Sequence, residues 1–220
     1  AIKLIEFLTS PEAQQMFADS NFEYPANPQA GVNPLIAKWG KRLGLGAPTG
    51  FDVAGEVPGV IPDVAWHDAR LPGGYQKGMA VNLAIGQGDV NVTPMQQLVF
   101  YGALATGTIW RPQVVLRIED VDGKVLKEFA PEARGRTELR ESTRQTVRKG
   151  LLAAVNEPYG TAYLSRHPDV PVAGKTGTAQ VVGLNVSRGK GGLWKYRDHG
   201  HFICFAPFDK PRYACAVVIE

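Results

Sequence analysis

The spacing of apolar positions changes several times along the chain, and each change marks an element. Ile2, Leu4, Ile5 and Leu8 fall on a first helical piece. Ser10-Pro11-Glu12 restarts a helix, with serine as N-cap, proline at the first helical position and an acid in the first turn. The Pro- and Asn-rich stretch 21–33 reads as extended, and Leu35–Leu43 as a short helix stopped by Gly44. Gly44–Gly78 is dense in glycine and proline and almost without periodicity. It is expected to be a long loop that forms a functional surface or wraps the domain. Val81–Ile85 is a short apolar run.

The second half is more strongly patterned. Thr93-Pro94-Met95-Gln96 is a capping box with proline at the first position, and it opens a helix whose Met95, Leu98, Val99 and Ala103 share one face. Val114–Ile118 and Val125–Phe129 flank Asp122-Gly123, a strong hairpin signal. Ser142–Gln145 is a second capping box, followed by Val147, Leu151 and Val155 at helical spacing. Val170–Ala173 reads as a strand leading into Lys175-Thr176-Gly177-Thr178. His201–Ala206 and Tyr213–Ile219 form a hairpin around Pro207–Pro211, and the Gly- and Lys-rich stretch 186–195 reads as mobile. The sum is α+β, an antiparallel sheet flanked by helices, with no internal repeat.

Composition narrows the partners. The 220 residues suffice for one large domain or two small ones, and 44% hydrophobic with 20% charged residues is ordinary for a soluble globular chain. A net charge of +3 with scattered Lys and Arg argues against nucleic acid as a partner. No run of 18 or more apolar residues and no signal peptide appears. The chain opens at Ala1 in mid-helix and stops at Glu220 on an apolar β run, so both ends read as cut. His67, His167, His199 and His201 lack metal-ligand spacing, and no cofactor is implied. Gly86-Gln87-Gly88 lacks the phosphate-loop patterns and reads as a buried turn. Arg134–Arg148 reads as a solvated helix with its lead-in. Cys204 and Cys215 lie on successive strands and read as two buried free thiols rather than a strained cross-strand disulfide.

The chemistry concentrates at Lys175-Thr176-Gly177-Thr178. On an exposed sheet edge, Lys175 presents a cation and Thr176 and Thr178 present hydroxyl groups. Gly177, without a Cβ, lets a ligand approach the backbone closely. An extended peptide pairs with such an edge, and a terminal carboxylate meets the charge and the hydroxyls. K-T-G alone is a short match, and its surroundings add weight.

Residues 170–180, V-P-V-A-G-K-T-G-T-A-Q, resemble the third signature motif of penicillin-recognising serine enzymes. Leu43–Glu56 is similar to the loop after the second motif of class B penicillin-binding proteins. Ile85–Gln97 resembles their I-G-Q-G…T-P-x-Q stretch, and Arg197–Pro207 their final hairpin. The insertion Val181–Tyr196 is most similar to the elongation type. The resemblance, over residues 39–220, implies an incomplete penicillin-binding-protein/β-lactamase-like transpeptidase fold. It also implies a D,D-transpeptidase that cross-links peptidoglycan stem peptides through an acyl-enzyme on a serine, with β-lactams acylating that serine. Lys175, Thr176, Gly177 and Thr178 would bind the substrate, with the Thr178 backbone N–H as one oxyanion donor. Cell-elongation proteins are the implied partners. The implied place is the bacterial periplasm, with an inner-membrane anchor on the parent protein outside this chain.

Two features depart from that family. The only S-x-x-K is Ser187-Arg188-Gly189-Lys190, after K-T-G and without a helix signal, and S-x-N does not occur. The nucleophile and its lysine are therefore expected to be absent and the fragment inactive alone. A non-catalytic penicillin-recognition or scaffold module is the alternative. Residues 1–38 resemble instead the C-terminal helical segment of a periplasmic ferric-ion substrate-binding protein. This sets an expected boundary between 1–38 and 39–220 and leaves a ferric-ion-binding fragment as a third reading, with Tyr24 a packing residue.

Overall fold

The computed structural model describes residues 35–84, 86–181 and 194–220. The helical pieces expected before Leu35, the extended stretch 21–33 and the Ser187–Lys190 match lie outside the described residues. The chain forms two compact units. Among the described residues, one comprises Leu35–Arg42 together with Val60–Asn91; the other comprises Leu43–Gly59 with the residues from Val92 on.

The first unit is helical. Helix α1 spans Leu35–Arg42, as its pattern predicted. Helix α2, Val64–Arg70, lies inside the stretch read as loop. Its start is set by Asp63, whose carboxylate accepts from Trp66 N–H at 2.9 Å and so satisfies one of the orphan donors of the first turn. The Lys41 hydrogen bond and the Trp66 amide hold the Asp63 carboxyl below its ordinary value. A helix of seven residues, about two turns, is too short to show a period, so the sequence pattern missed it. Helix α3, Lys77–Ala84, takes up most of the 81–85 run, and Val60 pairs with Asn91 as an antiparallel bridge. His67 is 4% exposed. Its Nδ1 lies 2.9 Å from the Asp63 carbonyl and its Nε2 3.2 Å from the Asp89 carboxylate, so its role is structural.

The second unit is α+β. Helix α4, Pro94–Thr106, opens with the expected capping box: Thr93 Oγ1 accepts from Gln96 N–H, and Gln96 Oε1 accepts from Thr93 N–H. It closes at Gly107, left-handed at φ 82°, where a side chain would be strained. Of the expected apolar stripe Ala103 is buried and Met95, Leu98 and Val99 are half-buried; Gln96, Leu104 and Ala105 are the other buried residues. Strands β1, Thr108–Trp110, and β4, Ala133–Arg136, pair antiparallel. The hairpin forms as β2, Arg117–Glu119, against β3, Val125–Glu128.

Helix α5 spans Glu141–Asn156, and the second capping box does not form. The helix starts one residue before Ser142, and the Glu141 carboxylate takes the Gln145 amide at 2.6 Å and Arg144 Nη2 at 2.7 Å. Arg144 Nη1 also reaches the Leu104 and Ala105 carbonyls at 3.1 and 2.9 Å, capping the last turn of α4. Nor is Arg148 solvated. It is 6% exposed, its guanidinium lies over the Phe208 and Phe205 rings at 4.9 and 5.7 Å, and Nη2 donates to the Phe208 carbonyl.

The sheet runs β5-β6-β7, with β5 Ala173–Ala179, β6 His199–Ala206 and β7 Tyr213–Ile219, all antiparallel. Ala173 and Phe205 pack with Ala105 of α4, against Tyr101, Leu151, Leu152 and Phe208. Cys204 and Cys215 stand opposite each other in register as free thiols, but Cys204 is half-buried and Cys215 exposed rather than both buried. Burial and the neighbouring Cys215 push the Cys204 thiol up.

Ala47–Pro58 has no regular secondary structure and is nevertheless tied down. Gln96 Nε2 donates to the Ala47 and Pro58 carbonyls at 2.7 Å each. Arg111 Nε reaches Gly50 O at 2.7 Å, and Arg134 Nη1 reaches Pro48 O at 3.0 Å. Glu56 accepts from the backbone N–H groups of Thr49, Gly50 and Phe51 and from the Thr49 hydroxyl. Carbonyls that lack a ladder are thus paired by side chains.

Candidate functional site

Lys175-Thr176-Gly177-Thr178 lies within β5 rather than beyond the end of the expected Val170–Ala173 strand. Among the described residues β5 pairs with β6 on one side only, which makes it a sheet edge. The register sets Lys175 opposite Ile203, Thr176 opposite Phe202, Gly177 opposite His201 and Thr178 opposite Gly200. The burial along the strand changes sharply. Ala173 and Gly174 are buried, Thr176 is half-buried, and Lys175, Gly177 and Thr178 are exposed.

The structure brings Lys175 and Thr176 together with a residue that the sequence pattern did not single out. Lys175 Nζ donates to the Thr176 carbonyl at 2.9 Å, to Thr176 Oγ1 at 3.3 Å and to Thr161 Oγ1 at 3.4 Å. The Thr176 hydroxyl donates to Thr161 Oγ1 at 2.9 Å. An ammonium and two hydroxyls therefore converge at the strand edge, the donor set a carboxylate needs. Thr161 sits fourteen residues before Lys175, in a turn after α5. A lone threonine in N-E-P-Y-G-T-A carries no period or spacing that points to a site.

Two glycines of β5 differ. A Cβ at Gly174 would stand 2.7 Å from both Cys204 Cβ and the Ile203 carbonyl oxygen, so packing excludes a side chain there. A Cβ at Gly177 would meet His201 Cβ at 3.5 Å, an ordinary contact. The fold thus leaves room for a side chain at Gly177, on the exposed part of the edge. His201 beside it is half-buried, and its Nδ1 has no hydrogen-bond partner among the described residues. Burial, with His199 nearby, holds the His201 imidazole below its ordinary value.

Among the described residues no three His, Cys, Asp or Glu side chains group as a metal site, and no helix is long and apolar enough to cross a membrane.

Peptidoglycan D,D-transpeptidase MrdA of Escherichia coli is 28% identical over 204 residues, 90% of this chain and 32% of that protein. The protein of the same name from Acinetobacter baumannii is 30% identical over 214 residues, 93% of this chain and 30% of that protein. The chain thus spans about a third of the length of the curated relatives it matches. Among solved structures, Pseudomonas aeruginosa PBP2 in complex with WCK 5153 superposes with a TM-score of 0.68 at 29% identity, over 87% of this chain and 40% of that one. Helicobacter pylori penicillin-binding protein PBP2, solved in complex with MreC, gives a TM-score of 0.67 at 28% identity, over 86% of this chain and 34% of that one. Both share the mixed architecture of helices and antiparallel sheet expected from the sequence. Residues 28–220 match the family described as the penicillin binding protein transpeptidase domain, a match that begins ahead of the boundary expected at residue 39. On these grounds the chain belongs to the penicillin-binding-protein transpeptidase domain family, within class B.

Proposed function

We propose that this chain supplies the carboxylate-binding edge of an elongation-type peptidoglycan D,D-transpeptidase. The observation that carries the reading is the convergence of Lys175 Nζ with the Thr176 and Thr161 hydroxyls on an open strand edge. In this reading a stem peptide lies along β5. Its terminal carboxylate meets Lys175, Thr176 and Thr178, with Gly177 leaving space beside its backbone. The Thr178 N–H stabilises the oxyanion of the acyl-transfer step. The serine that forms the acyl-enzyme, with its lysine, comes from outside these residues, because the one S-x-x-K they contain follows K-T-G. β-Lactams enter at the same edge, since they too carry a carboxylate. The proposed setting is the periplasmic side of the inner membrane. The proposed partner is a cell-elongation protein, on the strength of the Helicobacter pylori complex with MreC. Residues 1–27, ahead of the family match, are proposed as a segment distinct from the transpeptidase part. A recognition module without turnover is the competing reading, and labelling decides between them.

The test has two stages. Purified 1–220 is expected to take no boiling-resistant label from fluorescent penicillin; a stoichiometric label would overturn the assignment of the serine. Residues 41–220 are then joined to the N-terminal half of an elongation-type transpeptidase, and β-lactam acylation is followed. Lys175→Ala should slow acylation about 10- to 100-fold, because a charge-assisted hydrogen bond contributes about 1.5–3 kcal/mol and about 1.4 kcal/mol is tenfold. Lys175→Arg should lose less, since the charge survives in altered geometry. An unchanged rate in Lys175→Ala would remove the carboxylate site from this strand.

A further inference from the structure

We infer that Thr161 is a positioning residue of the carboxylate site, holding the Thr176 hydroxyl in one orientation by exchanging hydrogen-bond roles with it. The inference rests on the reading of β5 given above. Its starting point is how firmly the fold delivers Thr161. Helix α5 ends at Asn156, and Asn156 Nδ2 donates to the Leu152 carbonyl within the helix and to the Val172 carbonyl just ahead of β5, each at 2.8 Å. The last turn of the helix is thereby pinned to the approach of the strand. The chain then folds back on the helix end. Gly160 N–H donates to Glu157 O at 2.8 Å, and Ala162 N–H donates to Ala154 O at 3.0 Å, with Ala162 buried. A Cβ at residue 160 would stand 2.7 Å from the Ala153 carbonyl oxygen, with the Ala154 carbonyl nearer still, so only glycine allows this turn. Thr161 is therefore presented by a turn fixed on both sides, although its own side chain is exposed.

The hydroxyl it presents has two neighbours. Thr176 has one proton to give, and it donates it to Thr161 Oγ1 at 2.9 Å. Lys175 Nζ donates to both oxygens, at 3.3 and 3.4 Å. A carboxylate arriving at the edge needs that Thr176 proton. Once it is given away, the Thr161 hydroxyl turns about its C–O bond and donates to Thr176 Oγ1 instead. A hydroxyl serves because it both donates and accepts. Thr161 thus accepts in the geometry described and donates once a carboxylate takes the Thr176 proton, and Thr176 keeps one rotamer in both arrangements. Without it, a threonine side chain at a half-exposed strand position samples more than one χ1 well.

Thr161→Val removes the hydroxyl and keeps the shape, while Thr161→Ser keeps the hydroxyl. The first measurement uses the chain itself. Three-bond couplings at Thr176 should report one χ1 rotamer in the unsubstituted chain and in Thr161→Ser, and averaging in Thr161→Val. The second uses the serine-restored protein. Acylation by a penicillin should fall about 3- to 10-fold in Thr161→Val, the size of one neutral hydrogen bond, and stay within about 2-fold in Thr161→Ser. The corresponding penicillin methyl ester, which lacks the carboxylate charge, should be acylated at a rate indifferent to either substitution. A single Thr176 rotamer in Thr161→Val, or equal acylation losses in Thr161→Val and Thr161→Ser, would overturn the inference. If the serine-restored protein is not acylated at all, the carboxylate reading fails, and the couplings still judge Thr161.

Discussion

Gly174 and Gly177 lie on the same strand, on either side of Lys175-Thr176, and they are glycines for different reasons. Gly174 is buried, and a Cβ there collides with Cys204 and with the Ile203 backbone of the neighbouring strand. Gly177 is exposed, and a Cβ there would make an ordinary contact with His201. Packing dictates the first and leaves the second open, so the reason for the second has to come from whatever binds. The comparison teaches how to divide a signature motif: the part that builds the edge can be separated, residue by residue, from the part that uses it.

Substitutions test that division. Gly174→Ala should have the largest effect on the fold, about 1–3 kcal/mol of destabilisation, because the obstructing atoms include backbone and cannot move aside freely. In thermal unfolding this is a drop of several degrees in Tm for a chain of this size. Gly177→Ala should leave stability within about 0.5 kcal/mol yet slow β-lactam acylation of the serine-restored protein about tenfold, the effect of a misfit of roughly 1.4 kcal/mol. Equal Tm losses for the two would erase the distinction. The smallest effect is expected away from the strand, at Glu56, which serves the fold alone. Burial raises its pKa, but the hydrogen bonds from Thr49, Gly50 and Phe51 outweigh this and hold the carboxyl below its ordinary value of 4.5. A depressed folded-state pKa stabilises fully above the unfolded value and loses that stability as pH falls through the folded one. Glu56→Gln should therefore lower stability at pH 7 by about 1 kcal/mol or less, given its partial solvent exposure. The gap to the unsubstituted protein should close as pH drops below 4.5. A gap that widened on acidification would reverse the assignment.

What could be read ahead of the structure was whatever is written locally. Asp122-Gly123 between two apolar runs specified its hairpin, and Thr93-Pro94-Met95-Gln96 specified a helix start, because each needs only a few consecutive residues. Lys175-Thr176 was legible from its residue types, a cation beside hydroxyls, and among the described residues the sheet order leaves β5 at an edge. The same local rule failed at Ser142, where the helix starts one residue earlier and the Gln145 side chain donates to the Glu141 carboxylate instead of accepting from an N-cap amide. Arg148 read as solvated because charge usually is, and two aromatic rings more than fifty residues away in sequence cannot be seen from its neighbours. Thr161 and Gly174 were missed for a related reason: each is defined by an atom on another element, the Thr176 hydroxyl in one case and Cys204 in the other.

The ties on Ala47–Pro58 carry a consequence for the order in which the chain acquires its shape. That segment has no ladder of its own, and the side chains that hold it come from Gln96, Arg111 and Arg134, at separations of 38 to 86 residues. Closing loops of that length costs entropy before any contact rewards it, and contacts distant in sequence slow folding. The segment therefore belongs to the last steps of assembly. Helix α4 and the β1–β4 pair must be in place before it has anything to hold, and during synthesis it leaves the ribosome well before the residues that will fasten it.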